Sequence, residues 1–181
     1  RGGARAGDDV YVSGTVGDAM LALAALQGRT TLSAGELAPL QRRLDWPEPR
    51  VALGLALRGI ATAALDVSDG LTGDLSHILE TSAVGATLEL PVIPRGASLA
   101  ARVQGPQREL ALACLLAGGD DYELCFTAPV TARAAVHEAG AASATGVTRI
   151  GTITAEPGLR IRDEQGVPLA PLPRAFDHFP A

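Results

Sequence analysis

The residues best suited to chemistry lie in Asp66-Val67-Ser68-Asp69-Gly70-Leu71, where an apolar stretch gives way to helical spacing. Side chains alternate along a strand, so Leu65 and Val67 face one way while Asp66 and Ser68 face the other. Two residues along a strand span about 6.5–7 Å. Asp69 follows at the turn, and Asp74 comes one helical turn later. Acids set so closely repel one another unless a cation lies between them. Mg²⁺ is the usual answer, held by one or two carboxylates together with waters and phosphates. The helix start near Gly70 adds free N–H groups and a positive dipole end, which suit a phosphate. The same spacing also fits a plainer role, with Ser68 or Asp69 capping the helix and Asp66 a solvated strand end. Spacing alone leaves both readings open.

A second cluster is Gly118-Gly119-Asp120-Asp121-Tyr122-Glu123-Leu124. Two glycines let the backbone turn tightly or approach a ligand. Tyr122, Leu124 and Phe126 fall on one strand face and Asp121, Glu123 and Cys125 on the other. The alternative is an acidic turn on the surface. A third is Arg1-Gly2-Gly3-Ala4-Arg5-Ala6-Gly7-Asp8, where guanidinium groups beside glycines suit an oxyanion and a frayed terminus is the alternative. His77, His137 and His178 stand apart, with no metal-ligand spacing, and His77 is expected on an exposed helix face. Gly14-Thr15-Val16-Gly17 lacks the dinucleotide-binding glycine pattern.

These clusters need elements to hold them. Asp9–Ser13 alternates as a strand, and Asp18 is placed to cap a largely buried helix from Ala19 to Gln27. Ser33 and Glu36 form a capping box for a helix reaching Leu44. Trp46-Pro47-Glu48-Pro49 breaks it, and helical spacing resumes over 50–59. Strands are predicted over 62–67, 84–90, 122–127, 149–154 and 159–162. Helices are predicted over 71–82, 107–116 and 132–139; residues 98–105 show no clear period. The 71–82 helix carries Leu71, Leu75, Ile78 and Leu79 as one stripe. Interleaved strands and helices imply a mixed α/β (α+β) fold with helices packed on a sheet. No repeat or linker divides the 181 residues, so a single domain is expected.

Composition narrows the function classes. Hydrophobic residues make up 47% and charged residues 19%, which excludes a disordered chain. Net charge is −5, which argues against a nucleic-acid partner. No apolar run is long enough for a membrane span, and the opening residues lack a signal-peptide pattern. All 15 basic residues are arginine, so no lysine-based P-loop or Schiff base is available. Cys114 and Cys125 lie in apolar stretches without metal spacing, consistent with a cytoplasmic protein. A chain opening on Arg1 reads as a fragment.

Taken in order, R-G-G-A-R-A-G-D-D-V-Y-V-S-G, P-E-P-R-V-A-L-G, L-D-V-S-D-G-L-T-G-D-L, G-G-D-D-Y-E-L-C-F, I-G-T-I and F-D-H-F resemble the thiamine-monophosphate kinase family from Arg1 to Phe179. That family belongs with aminoimidazole ribonucleotide synthetase in a two-domain superfamily, and this chain resembles the C-terminal domain. The resemblance implies a three-layer α/β/α fold around a mixed sheet, with a ferredoxin-like portion. It implies transfer of the γ-phosphoryl of ATP to thiamine monophosphate, with Mg²⁺ on Asp66 and Asp69. Ser68 and Arg1 would contact ATP phosphates; Asp120 and Phe176 would contact the thiamine substrate. Asp120 stands where the family usually has Glu, and Phe176 where it has Trp or Tyr. The family's N-terminal domain, with much of the ATP site and the homodimer interface, has no counterpart here, so the chain alone is expected to fold without kinase activity. Two alternatives stand beside this: another ATP-dependent enzyme of the superfamily, and a non-catalytic module that binds thiamine phosphate.

Overall fold

Six runs rich in apolar and β-branched residues pair into one sheet. In the computed structural model, which describes residues 1–173, these are β1 (Asp9–Ser13), β2 (Ala63–Val67), β3 (Gly85–Glu89), β4 (Glu123–Ala128), β5 (Val147–Thr154) and β6 (Gly158–Arg162). Their order is β2-β4-β1-β5-β3-β6. The pairings are antiparallel except β3 with β6, so the sheet is mixed. Seven α-helices connect them among the described residues: α1 (Asp18–Leu26), α2 (Ala34–Asp45), α3 (Val51–Ala56), α4 (Leu71–Ser82), α5 (Ala97–Val103), α6 (Arg108–Ala117) and α7 (Arg133–Ala142).

Strand alternation sorts the core onto two faces. Val10, Val12, Leu65, Val67 and Cys125 point into the larger cluster, with Leu21 of α1, Leu75 and Ile78 of α4, and Leu115 of α6. Tyr11 and Phe126 point the other way, onto Leu53 of α3 and Val136 of α7. These two rings lie opposite each other in register and stack, centroids 5.2 Å apart. Helices thus cover both faces, the layered mixed α/β arrangement expected from the sequence. The α4 stripe is buried and His77 is exposed, also as expected. The Ser33–Glu36 capping box is present. No described helix is long and apolar enough to cross a membrane.

Three features depart from the sequence reading. Residues 97–103 form α5, a helix whose buried Leu99 and Val103 are too few to show a period. Asp18 does not cap α1. Gly17 takes that position in a left-handed conformation (φ 85°), and its N–H is held by Asp121, from the loop before β4, at 2.6 Å. Asp18 instead accepts the Thr15 hydroxyl at 2.7 Å. The N-terminal run is not frayed: the N–H groups of Gly3 and Ala4 both donate to Ser82 Oγ at 3.2 Å, and Ala4 is buried.

The loops leaving β2 and entering β4 meet backbone to backbone. The Asp120 N–H donates to Ser68 O at 3.0 Å, and the Tyr122 N–H to Val67 O at 2.9 Å. A Cβ on Gly119 would overlap the Ser68 carbonyl oxygen, and one on Gly70 would sit 2.6 Å from the Ala117 carbonyl carbon. Gly146, by contrast, has open space where a Cβ would go. Gly119→Ala is therefore expected to cost about 1–3 kcal/mol as an overpacked site. Gly146→Ala should stay within about 0.5 kcal/mol. Urea unfolding of the two variants beside the parent chain checks this.

Candidate functional site

Strand β2 is an edge strand, and its C-terminal end carries the acidic loop. Alternation leaves Leu65 and Val67 buried and Asp66 exposed, with Ser68 and Asp69 half-buried. Gly70 occupies the N-cap of α4 (φ 112°) and, having no side chain, makes no side-chain cap there. Neither Ser68 nor Asp69 is the N-cap residue of α4. The carboxylate of Asp74, in the first turn of α4, instead folds back to accept the N–H groups of Ser68 at 3.0 Å and Asp69 at 2.9 Å. Burial pushes the Asp74 carboxyl upward, the two N–H donors pull it back, and the nearby charges of Asp69 and Asp66 push it up again.

The second loop delivers three acids to three different jobs. Asp120 is half-buried in a left-handed conformation (φ 66°), and exposed Tyr122 follows suit (φ 51°). Between them, buried Asp121 accepts the N–H of Gly17 at 2.6 Å and of Ala19 at 3.4 Å, so its carboxylate sits on the positive end of α1. Burial outweighs those donors and pushes Asp121 up to about 7. Glu123 is fully buried and ion-paired. It accepts Arg50 Nε at 2.8 Å and Nη2 at 2.7 Å, Arg43 Nη2 at 3.2 Å, and the Ser13 hydroxyl at 2.6 Å. Arg43, Trp46, Arg50, Asp121 and Glu123 line a cleft of about 600 Å³.

Arg1 lies on the Asp66 side of this end of the sheet. It lines a cleft of about 450 Å³ along β2 with Arg58, Leu65, Asp66 and Leu124. Gly3 makes this approach possible: its φ is 131°, and a Cβ there would lie 2.5 Å from Thr62 O. Of the residues singled out from the sequence, Asp66, Ser68, Asp69 and Asp120 thus meet at one sheet end, with Arg1 in the cleft beside Asp66. Phe176 lies outside the described residues. Sequence reasoning missed the Asp74 clamp, the Asp121 cap and the Arg43–Glu123–Arg50 cluster. Only Asp121 had a local signal, in its alternation with Tyr122. The arginines are 80 and 73 residues away along the chain.

Over residues 5–164 the chain matches the family described as AIR synthase related protein, C-terminal domain. The chain belongs to that family. It is 42% identical over 183 residues to the thiamine-monophosphate kinase of Salmonella typhimurium, covering 99% of this chain and 54% of the relative. The crystal structure of thiamine-monophosphate kinase from Stenotrophomonas maltophilia K279a is similar at TM-score 0.79 and 42% identity, over 88% of this chain and 51% of that one. AaThiL complexed with AMPPCP and TMP is similar at TM-score 0.77 and 27% identity, over 98% of this chain and 53% of that one. The chain spans about half the length of the curated relatives it matches.

Within this AIR synthase-related domain no three described His, Cys, Asp or Glu side chains gather as a metal-binding group. Asp66 and Asp69 nevertheless fit Mg²⁺, which takes one or two carboxylates and fills its remaining positions with water and phosphate. Their charges bear on a third acid, the buried Asp74, and a divalent cation would offset that repulsion. The thiols of Cys114 and Cys125 are pushed up by burial to about 11 and about 12, so neither is a nucleophile near neutral pH.

Asp121 sets a stability signature. Its value in the folded protein, about 7, lies above the ordinary 3.8, so between those pH values the folded state holds the proton and the unfolded chain does not. Its contribution is complete below about pH 4, is lost as pH rises toward 7, and is flat above. Relative to Asp121→Asn, the parent chain should lose about 2–4 kcal/mol of stability across that window. Urea midpoints of both proteins from pH 4 to 8.5 give the difference curve.

Proposed function

We propose that this domain is the C-terminal half of an enzyme that transfers the γ-phosphoryl group of ATP to thiamine monophosphate, forming thiamine diphosphate. The observation that carries this reading is the 42% identity to named thiamine-monophosphate kinases across 99% of the chain. The backbone-locked pairing of D-V-S-D-G-L with G-G-D-D-Y-E-L agrees with it. Structural likeness to AaThiL complexed with AMPPCP and TMP supports an ATP-like nucleotide and a thiamine phosphate as the ligands.

The residues divide the work by charge and position. Asp66 and Asp69 hold Mg²⁺ at the end of β2. When bound, the metal offsets the negative charge that accumulates as one phosphate approaches another. The Ser68 hydroxyl and the Arg1 guanidinium bind ATP phosphate oxygens, Arg1 with a planar fork suited to them. Asp120 holds the cationic thiamine moiety, with Phe176 supplying a ring against it. The attacking atom is a phosphate oxygen of thiamine monophosphate, already anionic, so no side chain has to remove a proton first. The domain's lack of lysine and of an activated cysteine agrees with that economy. Phosphoryl transfer of this kind depends on positioning and electrostatics.

A preceding N-terminal domain would supply the rest of the ATP site, further metal ligands and the homodimer contact, in a cytoplasmic enzyme. The full-length protein with ATP, Mg²⁺ and thiamine monophosphate should therefore make thiamine diphosphate, and residues 1–181 alone should show no turnover. Turnover by the isolated chain, or none by the full-length protein, would contradict this reading.

Asp69→Asn in the full-length protein tests the metal role. Asn keeps the side-chain shape and removes the anion. We expect kcat to fall about 10²–10³-fold, the scale of losing one electrostatic contact in a preorganised site. Tm should shift by no more than about 2 °C, since Asn keeps the side-chain shape and an oxygen that can accept a hydrogen bond. Steady-state kinetics at saturating Mg²⁺ beside a thermal melt reads both.

A further inference from the structure

Four consecutive polar backbone atoms of the acidic loop are all held. Val67 O and Ser68 O accept the N–H groups of Tyr122 and Asp120, at 2.9 and 3.0 Å. Ser68 N and Asp69 N both donate to one oxygen, Oδ2 of Asp74, at 3.0 and 2.9 Å. Asp74 stands on α4, a helix anchored in the core by Leu71, Leu75 and Ile78, and is itself only 5% exposed. Its position along the helix is past the residues that ordinarily satisfy a helix start, and its reach is backward, out of the helix and into the loop. Gly70 permits that reversal through its φ of 112°. The backbone of this stretch is thus pinned from two sides, by α4 and by the loop before β4.

We propose that Asp74 is the positioning residue of this loop: by clamping the Ser68 and Asp69 N–H groups to α4 it fixes the direction in which Asp69 presents its carboxylate to a divalent cation. The proposal rests on the metal role given above to Asp69. A carboxylate oxygen suits the task because charge-assisted hydrogen bonds are short and strong, and one oxygen can accept two donors. An amide oxygen at the same place can also accept both. The clamp therefore predicts a split between variants: Asp74→Asn keeps the acceptor, and Asp74→Ala removes it.

Two measurements read the clamp separately from catalysis. Amide hydrogen exchange in the 181-residue chain reports whether Ser68 and Asp69 N–H remain bonded. Calorimetric titration of the full-length protein with Mn²⁺ in the presence of β,γ-methylene-ATP reports metal binding. D74A should expose both amides to exchange and weaken Mn²⁺ binding about 10- to 100-fold, while D74N retains both within about 3-fold, as for a partner that orients a ligand. A merely structural role would lower Tm in D74A and leave Mn²⁺ affinity of the folded protein at the wild-type value; that result overturns the proposal, as does D74N binding as weakly as D74A. If D74A does not fold, D74N decides: retained Mn²⁺ affinity and protected amides support the clamp, and loss of either overturns it. Failure of the wild-type full-length protein to bind Mn²⁺ with the nucleotide would instead count against the functional reading, and the exchange measurement would still judge the clamp.

Discussion

Two loops meet backbone to backbone at one end of the sheet. The chain leaving β2 at Ser68 lies against the chain entering β4 at Gly119, and Gly70 lies against the backbone of Ala117. Hydrogen bonds from Asp120 and Tyr122 to Ser68 O and Val67 O close the seam. Because β2 and β4 are already neighbours in the sheet, this contact continues their pairing past the strand ends. Its cost is visible in Asp120 and Tyr122, both non-glycine residues in the left-handed region. Such conformations cost on the order of 1–3 kcal/mol each and persist only where the surroundings hold them. The result is that Asp66, Ser68, Asp69 and Asp120 occupy fixed places relative to one another, although they come from two segments about fifty residues apart.

The acids behind that rim are buried, and each is compensated differently. Glu123 is matched by Arg43 and Arg50. Asp121 faces the N-terminus of α1, and Asp74 takes two backbone N–H groups. Buried charges of this kind contribute little net stability, because desolvation offsets most of the attraction. What they contribute is registration. Glu123 joins β4 to the segment around α2 and α3, Asp121 joins the same loop to α1, and Asp74 joins the acidic loop to α4. Elements distant in sequence are thereby tied to a single sheet end. A hydrophobic replacement could match the energy, but it would not dictate the same alignment.

Most of the framework was legible in the amino-acid order because it rests on local patterns. The stripe on α4, the Ser33–Glu36 box and the alternation in β2 each appear within a dozen residues and appear again in the structure. The short α5 was not legible, since its two buried residues make no period. The cap of α1 was misread for a related reason. An acid beside a helix start is the ordinary local solution, and Asp18 is such an acid. The group that accepts the helix-start N–H instead, Asp121, is more than a hundred residues away. At the site, residue types and their grouping could be read. The partners could not, because the Arg43–Glu123–Arg50 cluster and the Asp74 clamp depend on tertiary approach.

The described residues also explain why rigidity matters more here than reactivity. Both thiols are raised out of range by burial, and lysine is absent. A site made of carboxylates, a hydroxyl and guanidinium groups has no thiolate or amine nucleophile to offer. On the proposed reading it acts by where its charges stand as phosphate charge develops, and electrostatic stabilisation of that kind is lost when the charges must reorganise during reaction. A flexible glycine-rich loop would be the wrong support for such a site. Here the glycines serve the opposite purpose. Gly70 and Gly119 remove the Cβ atoms that would hold the loops apart, and the backbones then lock against each other.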